Sequence, residues 1–512
     1  MLQRIRILDT TLRDGVQTPG CCLKSVEKVQ IAKALDKLGV DIIEAGFPSS
    51  GASEFNSVQA VCQSVENAAV CVLTRAVKED IDIAAKSLEY AKNGCIQTGI
   101  GTSDYHINYK FKTDREALLK RAVDIVRYAV ETYPYNVAFY CEDAGRTDND
   151  FLARVVTAVI DAGATSVTIP DTVGYCLPDE YGAKFKYLIE NVPNIDKAIL
   201  SAHCHNDMGL ATANAIQAIL NGARQVDVTL CGVGERAGNT PLEQLQTIIA
   251  KRWSNEYFTN IDSNLIYETC RTSARIMNLQ LPADKPVIGY NVFAHASGIH
   301  QDGLLKHPAN YEFLHPHDIG GESSKIVLSA LSGRSALKYR LELLCDSIIE
   351  DDRLELIYNE FLKIANTKSV IDDNDLLMLS QRFPAGTATK YSPEQNSKGY
   401  LGLEFMKVTA GVGVRCKAFV KLRIGNDTTI CRSYGNGPVD AAIKAIKKRI
   451  GNTMVIHEFL IQAIDKGSDD MCKVNIQIKF NDKFYYGFAG NTDIVAASVL
   501  AFIDAVNKIP LQ

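Results

Sequence analysis

The chain has 512 residues, of which 22% are charged and 46% are hydrophobic, the balance of an ordinary globular protein. Its formal net charge of −5 gives no sign of a nucleic-acid-binding face. No apolar run reaches the 18 or so residues that a membrane-spanning helix needs. This length exceeds one ordinary core, so two or three domains are expected.

The amino terminus and the cysteines indicate the compartment. The first residues enter a strand-like run at once and show no signal-peptide core. The 14 cysteines are scattered and form no Cys-x-x-Cys motif, so we expect them to be reduced. We therefore expect a cytoplasmic protein without nucleic-acid or membrane partners.

Short apolar strands alternate with amphipathic segments through the first half of the chain. The candidate strands are residues 5–11, 41–47, 69–74, 95–101, 136–141, 166–170, 198–203 and 225–230. Helices are predicted between them, for example at 25–38, 115–131 and 150–162. Eight repeats over about 250 residues predict an α/β fold of the (β/α)8 TIM-barrel type. An open doubly wound sheet would need a glycine-rich turn after its first strand, where Arg13-Asp14-Gly15 stands instead.

Polar residues stand at the ends of most of these strands. They are Arg13, Asp14, Glu44, Gln97, Glu142, Thr172, His203, His205 and Asn239. In a TIM barrel the carboxyl ends of the strands meet at one mouth, where the chemistry takes place. We therefore predict a ring of ionisable groups around that mouth.

His203 and His205 are the strongest chemical signal in the chain. Residues two apart on a strand point to the same face, so the two imidazoles project together. Such a pair suits a divalent cation. A lone histidine at a strand end is usually a satisfied polar group, but a His-x-His followed by Asn206 and Asp207 favours a metal site. The remaining ligands must come from other parts of the fold.

The strand–helix rhythm breaks between about residues 256 and 390, a stretch that carries five of the nine histidines. It contains a helical run near 335–344 and a turn-rich passage at 384–397. We predict a catalytic barrel at 1–270 and an accessory helical region with a linker at 271–390.

The last part of the chain, 391–512, is predicted to be an α+β domain with two similar halves. Strand-like alternation at 412–423 and 472–479 precedes helices at 439–449 and 492–507. This domain has no acid–base cluster, which favours a sensing or dimerising role over catalysis.

Several blocks of the chain resemble one enzyme family. Residues 8–17 (LDTTLRDGVQ) are similar to the signature of the acyl-CoA-dependent metal TIM barrels, which are the 2-isopropylmalate, homocitrate and citramalate synthases and their lyase relatives. Further blocks match in order: 44–48, 170–175, 203–207, 232–239 and 297–303. Residues 435–441 and 492–494 resemble a leucine-responsive regulatory domain. The resemblance covers essentially the whole chain.

The resemblance implies a Claisen-type condensation of acetyl-CoA with a 2-oxoacid. Asp14, His203 and His205, with Asn239, would hold Mg2+, Mn2+ or Zn2+. The substrate-binding residues would be Arg13, Gln97 and Thr172. The catalytic residues would be Arg13, Glu142, His300 and Tyr311, with His300 removing a proton from the acetyl methyl group.

The first expectation for the oxoacid is 2-oxoisovalerate, in the first committed step of leucine biosynthesis. Citramalate synthase, which uses pyruvate, and homocitrate synthase are the alternatives, as is a weakly active regulatory paralogue. A homodimer with an amino-acid effector at the last domain is also expected.

Departures from the family pattern bear on the substrate. Val16 stands where the signature has Glu, and Gln97 replaces a histidine usual in the family. Gly99 replaces a bulky aromatic residue and Ala296 replaces a Glu. Ala330, Leu331 and Ser335 stand for Lys, His and His. Gln97 and Gly99 lie at the mouth end of strand four, where the oxoacid side chain or the acyl-CoA would bind.

Overall fold

The computed structural model describes most of the chain. The described ranges are 2–321, 325–345, 347–366, 371, 373–383, 401–411, 413–425, 427–451, 453–463, 472–481 and 483–509. The predicted linker at 384–397 and the predicted boundary between residues 390 and 391 lie outside these ranges. No helix within them has both the length and the apolar composition of a membrane span.

Eight parallel strands close into a barrel, which confirms the prediction. They are β1 (Arg6–Asp9), β2 (Ile42–Glu44), β3 (Ala69–Arg75), β4 (Gly94–Gly101), β5 (Asn136–Glu142), β6 (Ser166–Asp171), β7 (Ile199–Cys204) and β8 (Gln225–Val228). Each strand pairs with the next, and β8 pairs with β1 to close the ring.

Helices follow the barrel strands. They are α1 (Ser25–Leu38), α2 (Ala52–Ser64), α3 (Lys78–Ser87), α4 (Arg115–Thr132), α5 (Asn149–Asp161), α6 (Pro178–Asn191), α7 (Ala211–Leu220) and α8 (Leu242–Arg252). The three helices predicted from periodicity agree within one residue at each end. α5 shows why: Asp148 caps it by accepting from Phe151 N, and Val155, Val156 and Val159 bury its apolar stripe.

The side chains of the strands divide between two apolar layers. Leu8, Ile42, Cys71, Cys95 and Ala138 form a small cluster inside the barrel. The residues next to them along the strands belong to a larger cluster shared with the surrounding helices. Because the side chains alternate, every second residue after the inner cluster also faces inward, toward the mouth. This inner face continues through Glu44, Leu73, Gln97, Gly99, Tyr140 and Glu142.

Further helices follow the barrel. They are α9 (Ile266–Ile276), α10 (Gly298–Lys306), α11 (Arg334–Cys345), α12 (Asp351–Ala365) and α13 (Asp373–Arg382). Leu337, Leu341, Ile357 and Phe361 form the core of the last three. The barrel and these helices make up one compact unit, Met1–Phe383.

The second compact unit is Pro384–Gln512. It contains two three-stranded antiparallel sheets, each followed by a helix, so the predicted duplicated α+β fold is confirmed. The first half is β9 (Leu401–Gly411), β10 (Val414–Ile424), β11 (Asp427–Gly435) and α14 (Pro438–Ile450). The second half is β12 (Val455–Ala463), β13 (Cys472–Phe480), β14 (Lys483–Asn491) and α15 (Ile494–Asn507). One apolar core joins the two halves.

Candidate active site

Asp14, His203 and His205 meet at the mouth of the barrel. His203 Nε2 lies 3.4 Å from His205 Nε2 and 3.6 Å from Asp14 Oδ2. His205 Nε2 lies 3.8 Å from the same carboxylate oxygen. All three residues are buried, and one donor atom from each lies within 4.8 Å of the others. One carboxylate oxygen and two imidazole nitrogens at this spacing form a candidate divalent-metal site.

Asn239 lies beside this cluster. Its amide Nδ2 donates to Asp14 Oδ1 at 3.2 Å and to Val233 O at 3.1 Å. Its Oδ1 is buried and has no hydrogen-bond partner among the described residues. A buried acceptor without a partner costs about 1–3 kcal/mol, and a cation bound there would satisfy it. The residues present therefore fit a divalent metal.

The loop after β8 brings Asn239 to this position. Gly234 has a φ of +153°, and a Cβ there would lie 2.1 Å from Asn239 Nδ2. Only glycine allows the chain to pass so close to the amide.

Asp227 supports His203 from behind. Its Oδ2 lies 3.3 Å from His203 Nδ1, and its Oδ1 accepts from Ser201 Oγ at 2.7 Å. A carboxylate on Nδ1 favours the tautomer that leaves the Nε2 lone pair free for a metal. Asp227 is not among the site residues that the sequence predicts. A carboxylate within the apolar barrel strand β8 was the signal that could have identified it.

The variant Asp227→Asn is expected to bind metal about 10–100-fold more weakly, because the charge that orients His203 is lost. Calorimetric titration of the metal-free protein with Mn2+ measures this change. The matched control is Asp196→Asn, since Asp196 is exposed. An unchanged dissociation constant would show that Asp227 does not act through His203.

Arg13 bonds both to Asp14 in the candidate metal site and to Glu44 on β2. Its Nη1 donates to Asp14 Oδ2 and its Nε to Glu44 Oε2, each at 2.7 Å. Thr10 Oγ1 also donates to Glu44 Oε2, at 2.5 Å. These bonds fix the guanidinium and leave Nη2 without a protein acceptor among the described residues. A donor held in this way is suited to an oxygen of a substrate.

The charges around the cluster set its protonation. Burial favours a higher pKa for Asp14, but the charges of Arg13, His203 and His205 outweigh it and hold that pKa well below its ordinary value. Burial lowers the pKa of His205 to about 4, helped by the charge of His203 and opposed by Asp14. Burial also opposes protonation of His203, but the hydrogen bond and charge of Asp227 raise its pKa. Asp14 is thus ionised and His205 neutral at pH 7, as metal ligands must be.

Glu142, at the end of β5, lies in a second polar group at the mouth. Its Oε2 accepts from Lys110 Nζ at 2.6 Å and lies 3.6 Å from His106 Nδ1. Residues His106–Phe111 form a short π-helix, a geometry frequent at functional sites. A Cβ at Gly101 would lie 2.1 Å from His106 Nδ1, so the imidazole occupies the space beside this glycine.

Thr172 and Gln97 each have a donor group for which the described residues offer no acceptor. Thr172 Oγ1 accepts from Asp143 N at 2.8 Å, which leaves its hydroxyl proton free to donate. Gln97 is buried on β4, and its Oε1 accepts from Cys71 Sγ at 3.6 Å. Its Nε2 has no protein acceptor among the described residues.

Comparisons with known proteins agree along the whole chain. The family model described as HMGL-like matches residues 4–272, that of the homocitrate synthase post-HMGL domain matches 287–369, and that of the LeuA allosteric (dimerisation) domain matches 387–510. The 2-isopropylmalate synthase of Parabacteroides distasonis is 53% identical over 509 residues, 99% of either chain. The chain belongs to the 2-isopropylmalate synthase family. The synthase of Heliobacterium modesticaldum is 41% identical over 513 residues, covering 99% of this chain and 97% of its own.

The structure brings together the two residues that the synthase family resemblance placed after the barrel. The rings of His300, on α10, and Tyr311 stack with centroids 4.3 Å apart. A Cβ at Gly303 would lie 2.2 Å from Tyr311 Cε2, so this glycine lets the phenol ring lie against α10. Both residues are exposed. Among the described residues, no hydrogen bond or ion pair joins either side chain to the Asp14–His203–His205 cluster.

Two of the positions noted as departures from the family pattern, 331 and 335, lie close to α10. Gly298, the first residue of α10, donates its N–H to Leu331 O at 3.1 Å. Lys306 Nζ donates to Asp302 Oδ2 at 2.6 Å, and this bond, with a smaller effect of Ser335, lowers the pKa of that carboxyl group.

Proposed function

We propose that the chain catalyses the reaction for which its relatives are named, the condensation of acetyl-CoA with 2-oxoisovalerate to 2-isopropylmalate. This is the first committed step of leucine biosynthesis. The observation that carries the proposal is the buried Asp14–His203–His205 cluster with the fixed guanidinium of Arg13 beside it. A 2-oxoacid has two adjacent oxygens that such a site can chelate.

The residues around the cluster would hold the oxoacid. A divalent cation (Mg2+, Mn2+ or Zn2+) bound by Asp14, His203 and His205, with Asn239, would polarise the ketone of the oxoacid. The free Nη2 of Arg13 would donate to the oxygen on which negative charge develops. The hydroxyl group of Thr172 would donate a hydrogen bond to the oxoacid carboxylate. The amide Nε2 of Gln97 would also donate a hydrogen bond to the bound oxoacid.

Carbon–carbon bond formation needs a base for the methyl group of acetyl-CoA. We assign this role to His300, because a neutral imidazole nitrogen can accept a proton and the family resemblance points to this residue. The methyl carbon that loses the proton bonds to the ketone carbon, and the ketone oxygen gains a proton. Water then cleaves the thioester and CoA leaves as a thiol. Tyr311, stacked on His300, and Glu142 are proposed to take part in these proton transfers.

A panel of 2-oxoacids tests the function, with free CoA thiol followed by a thiol reagent. We expect 2-oxoisovalerate to give the highest kcat/KM, above pyruvate and 2-oxoglutarate. Pyruvate as the best substrate would make the chain a citramalate synthase. Absence of CoA release with every oxoacid would overturn the proposed reaction.

We propose further that residues 1–270 are catalytic, 271–390 accessory, and 391–512 a dimerising and regulatory domain for a branched-chain amino acid. The second unit contains a cavity of about 600 Å3 between α14 and β12. Ile443, Ile456 and Phe459 supply apolar lining, and Asp440 and Lys444 form an ion pair with each other, with Lys444 Nζ donating to Asp440 Oδ2 at 2.8 Å. The apolar lining suits the side chain of a branched-chain amino acid, whose ammonium and carboxylate groups would take the place of this pairing.

A chain that ends at residue 390 is expected to lose inhibition by leucine, because the effector site and its coupling to the barrel are removed. The measurement is the residual activity across a leucine titration, with subunit mass from light scattering. The point variant Lys444→Ala, in the full chain, should raise the leucine concentration needed for inhibition while basal activity stays. Inhibition of the truncated chain, with leucine competing against the oxoacid, would place the effector site in the barrel.

A further inference from the structure

Glu243 is a fully buried carboxylate that lies outside the metal cluster, in the first turn of α8. Its Oε2 accepts from Cys231 N at 3.0 Å. Its Oε1 has no hydrogen-bond partner among the described residues, but it lies 3.9 Å from Lys285 Nζ. This spacing is that of an ion pair without a hydrogen bond. A buried carboxylate needs a compensating charge nearby, and Lys285 supplies it.

The charge of Lys285 acts directly on this carboxylate. Burial raises the pKa of Glu243, and the charge of Lys285 is the largest influence in the opposite direction. The lysine side chain is itself half-buried, so water screens the pair less than it would at the surface. The pair therefore joins two parts of the chain that are more than 40 residues apart.

On one side, Glu243 holds the start of the loop that carries Asn239. Cys231 and Gly232 have φ values of +59° and +66°, and this left-handed conformation is uncommon for a residue other than glycine. The bond from Cys231 N to Glu243 fixes this turn. Asn239 N in turn donates to Gly232 O at 3.0 Å. A Cβ at Gly232 would lie 3.3 Å from Lys285 Nζ, so the ammonium group lies against the same turn.

On the other side, Lys285 belongs to a tight loop between α9 and α10. Ile288 N donates to Pro286 O at 2.9 Å, which closes a three-residue turn around Val287. Val287 has a φ of +72°, an outlier for a β-branched residue. Val287 and Ile288 are both buried in the large apolar cluster of the barrel, and this packing holds the strained turn in place.

The same loop leads to α10. Gly289 N donates to Lys285 O at 2.8 Å. Gln301, the residue after His300, is fully buried, and its Nε2 donates to His295 O at 2.7 Å. Only a short stretch of chain separates Gly289 from His295. The position of α10 therefore depends on where the loop around Lys285 is held.

We propose that the Glu243–Lys285 ion pair positions His300 relative to the metal cluster. This inference rests on the proposed function, because it takes His300 as the base of the condensation. One carboxylate holds the Asn239 loop through Oε2 and the segment leading to His300 through Oε1. Glu243 and Lys285 act through these two segments and are positioning residues.

The first test is Lys285→Met, which keeps the aliphatic stem and removes the charge. We expect kcat with 2-oxoisovalerate to fall about 10- to 100-fold, since a misplacement of about 1 Å at the reacting atoms costs about that much. The KM for the oxoacid and the dissociation constant of Mn2+ should stay close to those of the unmodified chain, because the Asp14–His203–His205 cluster is intact. Lys285→Arg keeps the charge and should retain most of kcat. An unchanged kcat in Lys285→Met would overturn the inference.

The double variant Lys285→Met with Glu243→Gln separates positioning from charge compensation. It buries no unpaired charge, and the amide oxygen at position 243 can still accept from Cys231 N. We expect kcat to stay as low as in Lys285→Met, because the link between the two segments is still missing. A kcat restored to that of the unmodified chain would show that Lys285 only neutralises Glu243. The double variant also carries the test if Lys285→Met does not fold.

Amide hydrogen exchange, followed by mass spectrometry, gives a readout that does not depend on the reaction. In both variants the amides of residues 290–306 should exchange faster, while those of α2 and α3 should not change. The matched control is Lys184→Met, which removes another half-buried ammonium group, one that donates to Thr147 O at 2.8 Å. It should leave exchange at 290–306 unchanged.

The two readouts separate this inference from the proposed function. If the unmodified chain condenses none of the oxoacids, the proposed function fails, and exchange at 290–306 still decides whether the ion pair holds α10. Unchanged exchange at 290–306 in both variants would overturn the inference, whatever the rate of condensation.

Discussion

His203→Ala is expected to lose its metal and its condensing activity together. Three close donor atoms hold the site, and removal of one leaves Asp14 and His205 with incomplete geometry. The carboxylate of Asp227 would also lose its imidazole partner. The measurement is the metal content after dialysis, by elemental analysis, alongside CoA release with 2-oxoisovalerate.

The control for this variant is His457→Ala, which removes an exposed imidazole from the second unit and should leave metal content unchanged. Added Mn2+ should restore little activity to His203→Ala, because the remaining ligands bind it weakly. Undiminished metal content in His203→Ala would remove this residue from the ligand set. Metal loss with activity retained would instead separate the cluster from the reaction.

The barrel could be predicted because its signal is repeated eight times along the chain. The predicted strand at 5–11 ends at Asp9 in the structure, where the N–H groups of Arg13, Asp14 and Gly15 all turn back to the carbonyl oxygen of Thr10. Apolar alternation does not show such a turn. The predicted strand at 41–47 is also longer than β2, which ends at Glu44 shortly before a 3-10 helix at Pro48–Ser50.

The meeting of Asp14, His203 and His205 at one mouth could be predicted for a simple geometric reason. The strand period places His203 and His205 together, and the barrel places Asp14 at the same mouth. Asp227 could not be identified in this way, because it lies within the apolar strand β8 and only its contact with His203 Nδ1 shows that it supports the cluster. The position of α10 relative to the cluster depends on contacts between residues far apart in the sequence, and hydrophobic periodicity carries no information about such contacts.

His300→Ala is expected to condense acetyl-CoA with the oxoacid about two to four orders of magnitude more slowly, the usual worth of a positioned acid–base group. Metal and oxoacid should bind almost normally, because among the described residues no hydrogen bond or ion pair joins His300 to the Asp14–His203–His205 cluster. Exchange of the acetyl methyl protons with deuterated solvent, in the presence of a non-condensing oxoacid analogue, should be lost as well. His317→Ala, which removes a largely exposed imidazole, is the matched control and should keep both activities.

Because the His300–Tyr311 pair is exposed, a second experiment tests whether His300 acts at the active site of a partner subunit. His300→Ala and His203→Ala are each expected to have little activity alone, but in a mixed dimer the intact His300 of one subunit would meet the intact Asp14–His203–His205 cluster of the other. With a twofold-symmetric dimer, equal mixing and subunit exchange should restore about a quarter of the full activity. No recovery, with exchange of subunits demonstrated, would place His300 in the same subunit as its metal. A near-normal rate in His300→Ala would pass the base role to Glu142, whose carboxylate lies at the same mouth beside Lys110.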